Sequence, residues 1–303
     1  MPGHRSPPIR NQGDIRMSTQ SKDAYFVPED SRWPVFGIPG MVLLAIGLSV
    51  YLNGGSSGMP MIVIGALIIV IMTVMWFRDV IVESVSGKYN AQVDVSFRQG
   101  MAWFIFSEVM FFGAFFGALF YARVFSIPWL SGGDPETSRF LWESVTLAWP
   151  TAGPGFLDLD YTVMGAWGLP AINTMILLTS GVTLTIAHHA MKHNDRKKVI
   201  WGLAATVGLG FLFLSIQMYE YVYAYQELNL RMDTGIYGSL FYLLTGFHGV
   251  HVFLGALTLL VVLLRVMRGH FTADNHFGFE AAAWYWHFVD VVWLGLFIFV
   301  YVI

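Results

Sequence analysis

Stretches of mainly apolar residues recur seven times along the chain, separated by polar or glycine- and proline-rich breaks. A helix rises 1.5 Å per residue, so about 20 apolar residues match the roughly 30 Å hydrocarbon core of a bilayer. On that measure residues 35–53, 60–77, 100–124, 169–191, 199–223, 236–266 and 281–303 each predict a spanning helix. The sixth stretch is the longest and has room to tilt or to project past the hydrocarbon. Between the first two, Asn53-Gly-Gly-Ser-Ser-Gly58 is a tight polar turn, which predicts an antiparallel hairpin. The expected architecture is an all-α polytopic membrane protein with a polar tail at 1–34 and a two-helix hairpin at 35–78. A five-helix bundle follows at 99–303, interrupted by an insertion at 125–168.

Composition sharpens this picture by exclusion. The 303 residues are 55% hydrophobic and 12% charged, against about 25% charged in soluble domains. Cysteine is absent, which removes disulfides, iron–sulfur clusters and thiolate-ligated metals and leaves His, Met, Asp and Glu as ligand types. A net charge of -3 gives no basic footprint for nucleic acid. Charge speaks through its placement instead. Fourteen of the 17 Lys and Arg fall on one side of the predicted spans, leaving Arg123, Arg139 and Arg231 on the other. Cytoplasmic segments carry the basic excess, so the N-terminus is expected inside and the C-terminus outside. The first 34 residues lack an apolar core of the kind a signal peptide carries. Within them Met17 opens a stretch that reads as a natural start, the alternative to Met1, which makes 1–16 a candidate non-native extension. The 125–168 insertion, with Trp129, Trp142, Trp149 and Trp167, reads as an ordered cap at headgroup level.

Ionisable groups inside spans are expensive, so each is a functional hypothesis. Glu108 lies about 12 Å into the third span among Trp103, Phe104, Phe106, Phe111 and Phe112. A proton relay, a headgroup contact, or a protonated acid bonded to a neighbouring helix all fit it. Gly113 and Gly117 form a Gly-x-x-x-Gly face open to close helix approach. His248 and His251 share one face of the sixth span, and His287 and Asp290 one face of the seventh, so the four could converge as ligands, proton carriers or interhelical ties. His188 and His189 sit at the inner end of the fourth span, open to interface or proton-collecting roles. Glu220, among Tyr219, Tyr221, Tyr223 and Tyr225, reads as an interface residue. The histidines lie at different depths, which argues against one shared di-iron or haem site. Nothing resembles a nucleotide loop, a Ser/His/Asp triad or a zinc-protease helix.

Several long motifs carry a family resemblance. They are Trp76-Phe-Arg-Asp-Val80, the run Arg98-Gln-Gly-Met-Ala-Trp-Phe-Ile-Phe-Ser-Glu-Val-Met-Phe-Phe112, and Leu177-Leu-Thr-Ser-Gly-Val182 followed by Ala187-His-His189. Thr245-Gly-Phe-His-Gly-Val-His251 and His276-Phe-Gly-Phe-Glu-Ala-Ala-Ala-Trp-Tyr-Trp-His-Phe-Val-Asp-Val-Val-Trp-Leu294 complete the set. The chain resembles subunit III of cytochrome c oxidase, the haem–copper terminal oxidase. The resemblance implies seven helices, the first two and last five forming a V whose cleft holds phospholipids. It implies no catalytic residue and no metal on this chain, with haems and copper held by partner subunits. It further implies docking on catalytic subunit I with subunit II nearby, and cytochrome c as the substrate of the complex. By position, the lipid contacts would be Trp76, Arg78, Glu83, Ser84, Glu108, Arg265 and His270. Val82 stands where the family often has a second arginine, which removes one phosphate contact.

The function this implies is accessory: packing, lipid retention and support of proton uptake during proton-pumping reduction of O2; the cysteine-free composition and plain tail point to a bacterial inner membrane. His188 and His189 are the expected proton collectors. The competing readings are a stand-alone membrane enzyme with His-ligated iron, and a secondary transporter, for which an inverted repeat would be expected.

Overall fold

The computed structural model describes residues 26–27, 31–140 and 145–303. The candidate start at Met17, most of the tail's basic residues and Trp142 lie outside them. The described residues hold helices and no strand, and seven helices are long and apolar enough to cross a membrane. These are α1 (Trp33–Leu52), α2 (Gly58–Val85), α3 (Ala91–Tyr121), α4 (Leu169–Lys192), α5 (Arg196–Gln226), α6 (Gly235–Met267) and α7 (Phe277–Leu296). The helices outrun the apolar stretches at several ends. α2 continues past residue 77 to Val85 and α3 begins at Ala91 rather than 100, because backbone hydrogen bonding does not stop where the lipid does. Hydropathy sees only the immersed part of a helix. Gly87 and Asn194 adopt left-handed backbone (φ 72° and 55°) after α2 and α4, and Asp195 caps α5 by accepting from the Lys198 amide at 3.2 Å.

The chain divides into two compact units, Met1–Phe97 and Arg98–Ile303. In the first, α1 and α2 form the predicted hairpin, and they meet through glycine. A Cβ on Gly47 would lie 2.8 Å from the Ile62 amide nitrogen, and one on Gly65 would lie 2.8 Å from the Gly40 carbonyl oxygen and 2.9 Å from the Leu44 nitrogen. Backbone rests on backbone, which is how helices gain dispersion contact in lipid, where no hydrophobic force drives them together. Trp33 closes the open end by donating its indole N–H to Asp79 at 3.0 Å.

The second unit packs around aromatic side chains. Trp286 of α7 is fully buried in a slot lined by Gly210 of α5 and Gly255 of α6, where a Cβ would approach the indole to 2.6 and 2.9 Å. Its N–H donates to Ser180 Oγ of α4 at 2.9 Å, and one helical layer away Trp293 donates to Thr174 Oγ1 at 2.9 Å. Thr183 with Thr206, and Tyr221 with Thr245, add hydrogen bonds at 2.8 Å between α4 and α5 and between α5 and α6. The Gly113 and Gly117 face behaves otherwise than its motif suggests: within this unit a Cβ at either would meet no atom. Spacing reveals a small face but not whether anything occupies it.

Past α3 the chain continues through two π-helical turns (Ala122–Ser126 and Trp129–Gly133) and a short helix (Pro135–Phe140). The rest of the insertion is tied to the α5–α6 connection. The Thr162 amide donates to Leu228 O at 2.9 Å, Asn229 Nδ2 to Asp160 O at 2.8 Å, and the Ile236 amide to Ala152 O at 3.1 Å. Trp129 and Trp167 are exposed, whereas Trp149 packs on Tyr237 with centroids 5.6 Å apart.

Candidate functional site

The polar residues of the five-helix unit do not gather into one centre. His248, His251, His287 and Asp290 make separate attachments to three different helices. His248 and His251 diverge to separate partners on α7 and α3, whereas His287 and Asp290 stay together, His287 Nδ1 lying 3.6 Å from Asp290 Oδ2.

His251 faces α3, where its Nε2 lies 2.9 Å from Glu108 Oε2. Its Nδ1 lies 2.7 Å from the Phe247 carbonyl, which only accepts, so Nδ1 carries a hydrogen. The contact with Glu108 therefore needs one further proton, either on Nε2 or on the carboxyl. Both arrangements leave the pair with zero net charge, the cheap way to keep an acid among Phe111, Phe112 and Tyr285, whose rings surround the imidazole. Of the roles open to Glu108 in the sequence, the interhelical hydrogen bond is the one the geometry displays.

His248 is fully buried against Phe213 and Trp293. Its Nε2 donates to the Val289 carbonyl at 3.2 Å and its Nδ1 has no partner. It ties α6 to α7. His287 and Asp290 turn instead toward α4. His287 Nε2 is 3.4 Å from Thr185 Oγ1. Asp290 Oδ2 occupies the space beside Gly181, 2.3 Å from where a Cβ would stand.

At the end where α4 stops and α7 starts, a denser group forms. Glu280, in the first turn of α7, takes an ion pair from Arg98 of α3 and lies 3.3 Å from His276 Nε2 and 3.6 Å from His188 Nε2. Arg98 also covers the Phe277 ring at 5.2 Å. The i,i+4 spacing of His276 and Glu280 was visible in the sequence, but the meeting with His188 and Arg98 depends on tertiary packing. His189, next to His188, points away: it is exposed, with its ring centroid 4.5 Å from that of His193.

The expected lipid contacts fall in both units. On α2, Trp76, Glu83 and Ser84 lie within about 100° of one another around the helix, while Arg78 projects from the other side, about 160° from Trp76. Glu83 already accepts from the Tyr89 hydroxyl at 2.9 Å. Burial, together with that acid, pushes the Tyr89 phenol up, so it stays a donor. In the second unit Arg265 sits 4.3 Å over the Phe271 ring. Partial desolvation, reinforced by Arg265 and Arg268, holds the His270 pKa below the usual imidazole value. His270 is thus mainly neutral near pH 7, and Arg265 is the cation of the pair.

Glu220 corrects the sequence reading. It is 1% exposed rather than at an interface, and neither carboxyl oxygen has a hydrogen-bond partner. Gln217 and the Tyr301 hydroxyl, also buried, belong to the same region. The tyrosine-rich surroundings suggested a headgroup belt, but the helix turns Glu220 inward while Tyr219 and Tyr223 stay exposed.

Comparison with known proteins decides the family. The family model described as Cytochrome c oxidase subunit III matches residues 23–135 and 143–303. The chain belongs to the cytochrome c oxidase subunit III family. Cytochrome c oxidase subunit 3 of Danio rerio is 39% identical over 279 residues, 92% of this chain and 96% of its own length. The Gadus morhua protein is 39% identical over 284 residues and that of Marchantia polymorpha 39% over 286, each covering 98% of the relative. Membership makes the chain a multi-pass subunit of an oxidoreductase complex, working with other oxidase subunits. The break in the family match, residues 136–142, falls inside the 125–168 insertion.

Proposed function

We propose that the chain is a non-redox accessory subunit of its oxidase, docking on catalytic subunit I with subunit II nearby and retaining structural phospholipids. In this reading it supports proton uptake while the complex reduces O2 with electrons from cytochrome c and pumps protons. The haems and copper reside in the partner subunits. The observation that carries the proposal, beyond family membership, is how the histidines inside the spans are used. His248 and His251 each engage a neighbouring helix at hydrogen-bond distance, and His287 leans on Thr185. The three rings thus serve separate interhelical attachments and do not gather as one ligand set. This favours the accessory reading over a stand-alone enzyme with His-ligated iron.

Lipid retention is supported by Trp76 and Arg78, exposed on α2, and by the cationic Arg265. We assign the inside N-terminus and the bacterial inner membrane to the same proposal, on the basic-residue asymmetry and the cysteine-free composition, and the lipid-holding cleft on the family resemblance alone. The relatives named above come from fishes and a liverwort, so the host rests on composition alone. His188 and His189 are proposed to gather protons on the inner side.

The test is gentle detergent extraction of the complex, with visible spectra and iron and copper analysis before and after this chain is stripped away. Haem and copper that co-purify and then remain with the partners support the proposal. Iron or copper remaining on this chain overturns it. The proton role fails separately if replacing His188 and His189 leaves turnover at high pH unchanged.

A further inference from the structure

The His188, His276 and Glu280 group has more electron-pair donors than its hydrogen bonds use. Their ligand atoms all lie within 4.8 Å of one another. His276 Nδ1 is 3.2 Å from the Thr272 carbonyl, which can only accept, so Nδ1 carries the hydrogen and the lone pair of the neutral ring sits on Nε2. That Nε2 and the Nε2 of His188 are both buried and lack a hydrogen-bond partner, and both face Glu280 Oε1. With the hydrogen of His188 on its Nδ1, both imidazoles and the carboxylate turn lone pairs to one point, which a proton shared with Glu280 or a metal cation can fill.

We propose that His188, His276 and Glu280 form a binding site for a divalent transition metal of the zinc class, tying the end of α4 to the start of α7. Two imidazoles and one carboxylate are a common three-ligand set for zinc, with a fourth position left for water. Ligand bonds of about 2.0–2.1 Å in a tetrahedron place donor atoms about 3.3 Å apart. The 3.3 and 3.6 Å separations already present are close to that, so binding needs little movement at Glu280. The Thr272 carbonyl fixes the His276 tautomer, and Arg98 holds the second Glu280 oxygen, so both ligands have the outer-shell support that ordered metal sites show. Zinc is redox-inert, so the site is compatible with a non-redox subunit; a zinc-bound His188 would leave the proton-gathering role to His189. The site departs from the expectation that this chain binds no metal.

The experiment loads the full-length chain in mild detergent with Zn2+ alone and removes excess metal. It uses a His189→Ala/His193→Ala background, because that exposed i,i+4 pair would bind zinc by itself. One tightly held Zn2+ per chain is expected, with zinc K-edge absorption showing two imidazoles and one carboxylate. His276→Gln and Glu280→Gln should each lower affinity at least 100-fold, and Arg98→Gln should shift it by about 10-fold through loss of outer-shell support. Unchanged zinc affinity in the ligand variants, or an absorption spectrum without imidazole scattering, overturns the site. The spectrum is read on chains with all three ligands intact, so it decides even if a ligand variant misfolds.

Discussion

The hairpin of α1 and α2 and the bundle of α3 to α7 solve the same problem by opposite means. Neither can use the hydrophobic effect to join its helices within lipid. The hairpin brings backbones together at Gly40, Gly47 and Gly65 and leaves most of its side chains outward. The bundle keeps its helices apart with indoles and phenyl rings, then fastens them with polar bonds between named atoms. A contact made by absent side chains tolerates no added atom, whereas one made by large side chains tolerates no removed atom. The hairpin contact should therefore be most sensitive to an added atom, and the slot around Trp286 to a removed one.

The largest effect is expected from removing Trp286. Trp286→Ala empties the slot between Gly210 and Gly255 and leaves Ser180 without its donor. Buried Trp→Ala changes cost about 3–5 kcal/mol in soluble cores. In lipid the loss is packing rather than transfer, so about 3 kcal/mol is expected, measured by reversible unfolding of the full chain in mixed micelles. A loss under 1 kcal/mol would mean that the slot collapses freely and that the indole does not hold the bundle apart.

The matching experiment in the hairpin adds an atom. Gly65→Ala places a methyl 2.8 Å from the Gly40 carbonyl oxygen, and a backbone atom cannot rotate out of the way. An overpacking cost of about 1–3 kcal/mol follows. The change is expected to separate cysteines introduced at the facing ends of α1 and α2, read as a lost crosslink. The hairpin description is wrong if crosslinking is retained in full.

Glu108→Ala ranks next. It leaves His251 Nε2 half-buried without its partner, at about 1–2 kcal/mol. Glu108→Gln should recover most of that, since the amide can donate to Nε2 while Nδ1 keeps the Phe247 carbonyl. Equal losses in the two variants would contradict the proton placement deduced from the Phe247 contact.

How much of this the sequence contained differs between the units in the same sense. The seven spans were legible because hydropathy reports immersion residue by residue, and the hairpin because its turn is local. Glu108 and the histidines stood out because charge inside a span is rare. Their partners were not legible. Glu108 and His251 are 143 residues apart, and no local period brings α3 to α6. Glu220 was misread for a related reason: a tyrosine-rich stretch looks like a headgroup belt from composition, but which residues face inward depends on neighbouring helices.

The smallest effects test whether a motif is a contact. Thr174→Val deletes the acceptor of the Trp293 indole while keeping side-chain shape. Hydrogen bonds between membrane helices average about 0.6 kcal/mol and reach about 1.7. A loss near 1 kcal/mol is expected here, since both groups are buried and the indole N–H would have no substitute. Gly113→Ala and Gly117→Ala should fall within about 0.5 kcal/mol of zero in the isolated chain, because within the five-helix unit their added methyls meet nothing. The same residue type in a spanning helix is thus predicted to be costly at Gly65 and free at Gly113. A penalty at Gly113 as large as at Gly65 would show that the open face is packed within the chain. An isolated chain left unchanged by Gly113→Ala, alongside weaker association with its oxidase partners, would show that the face is reserved for what the complex brings to it.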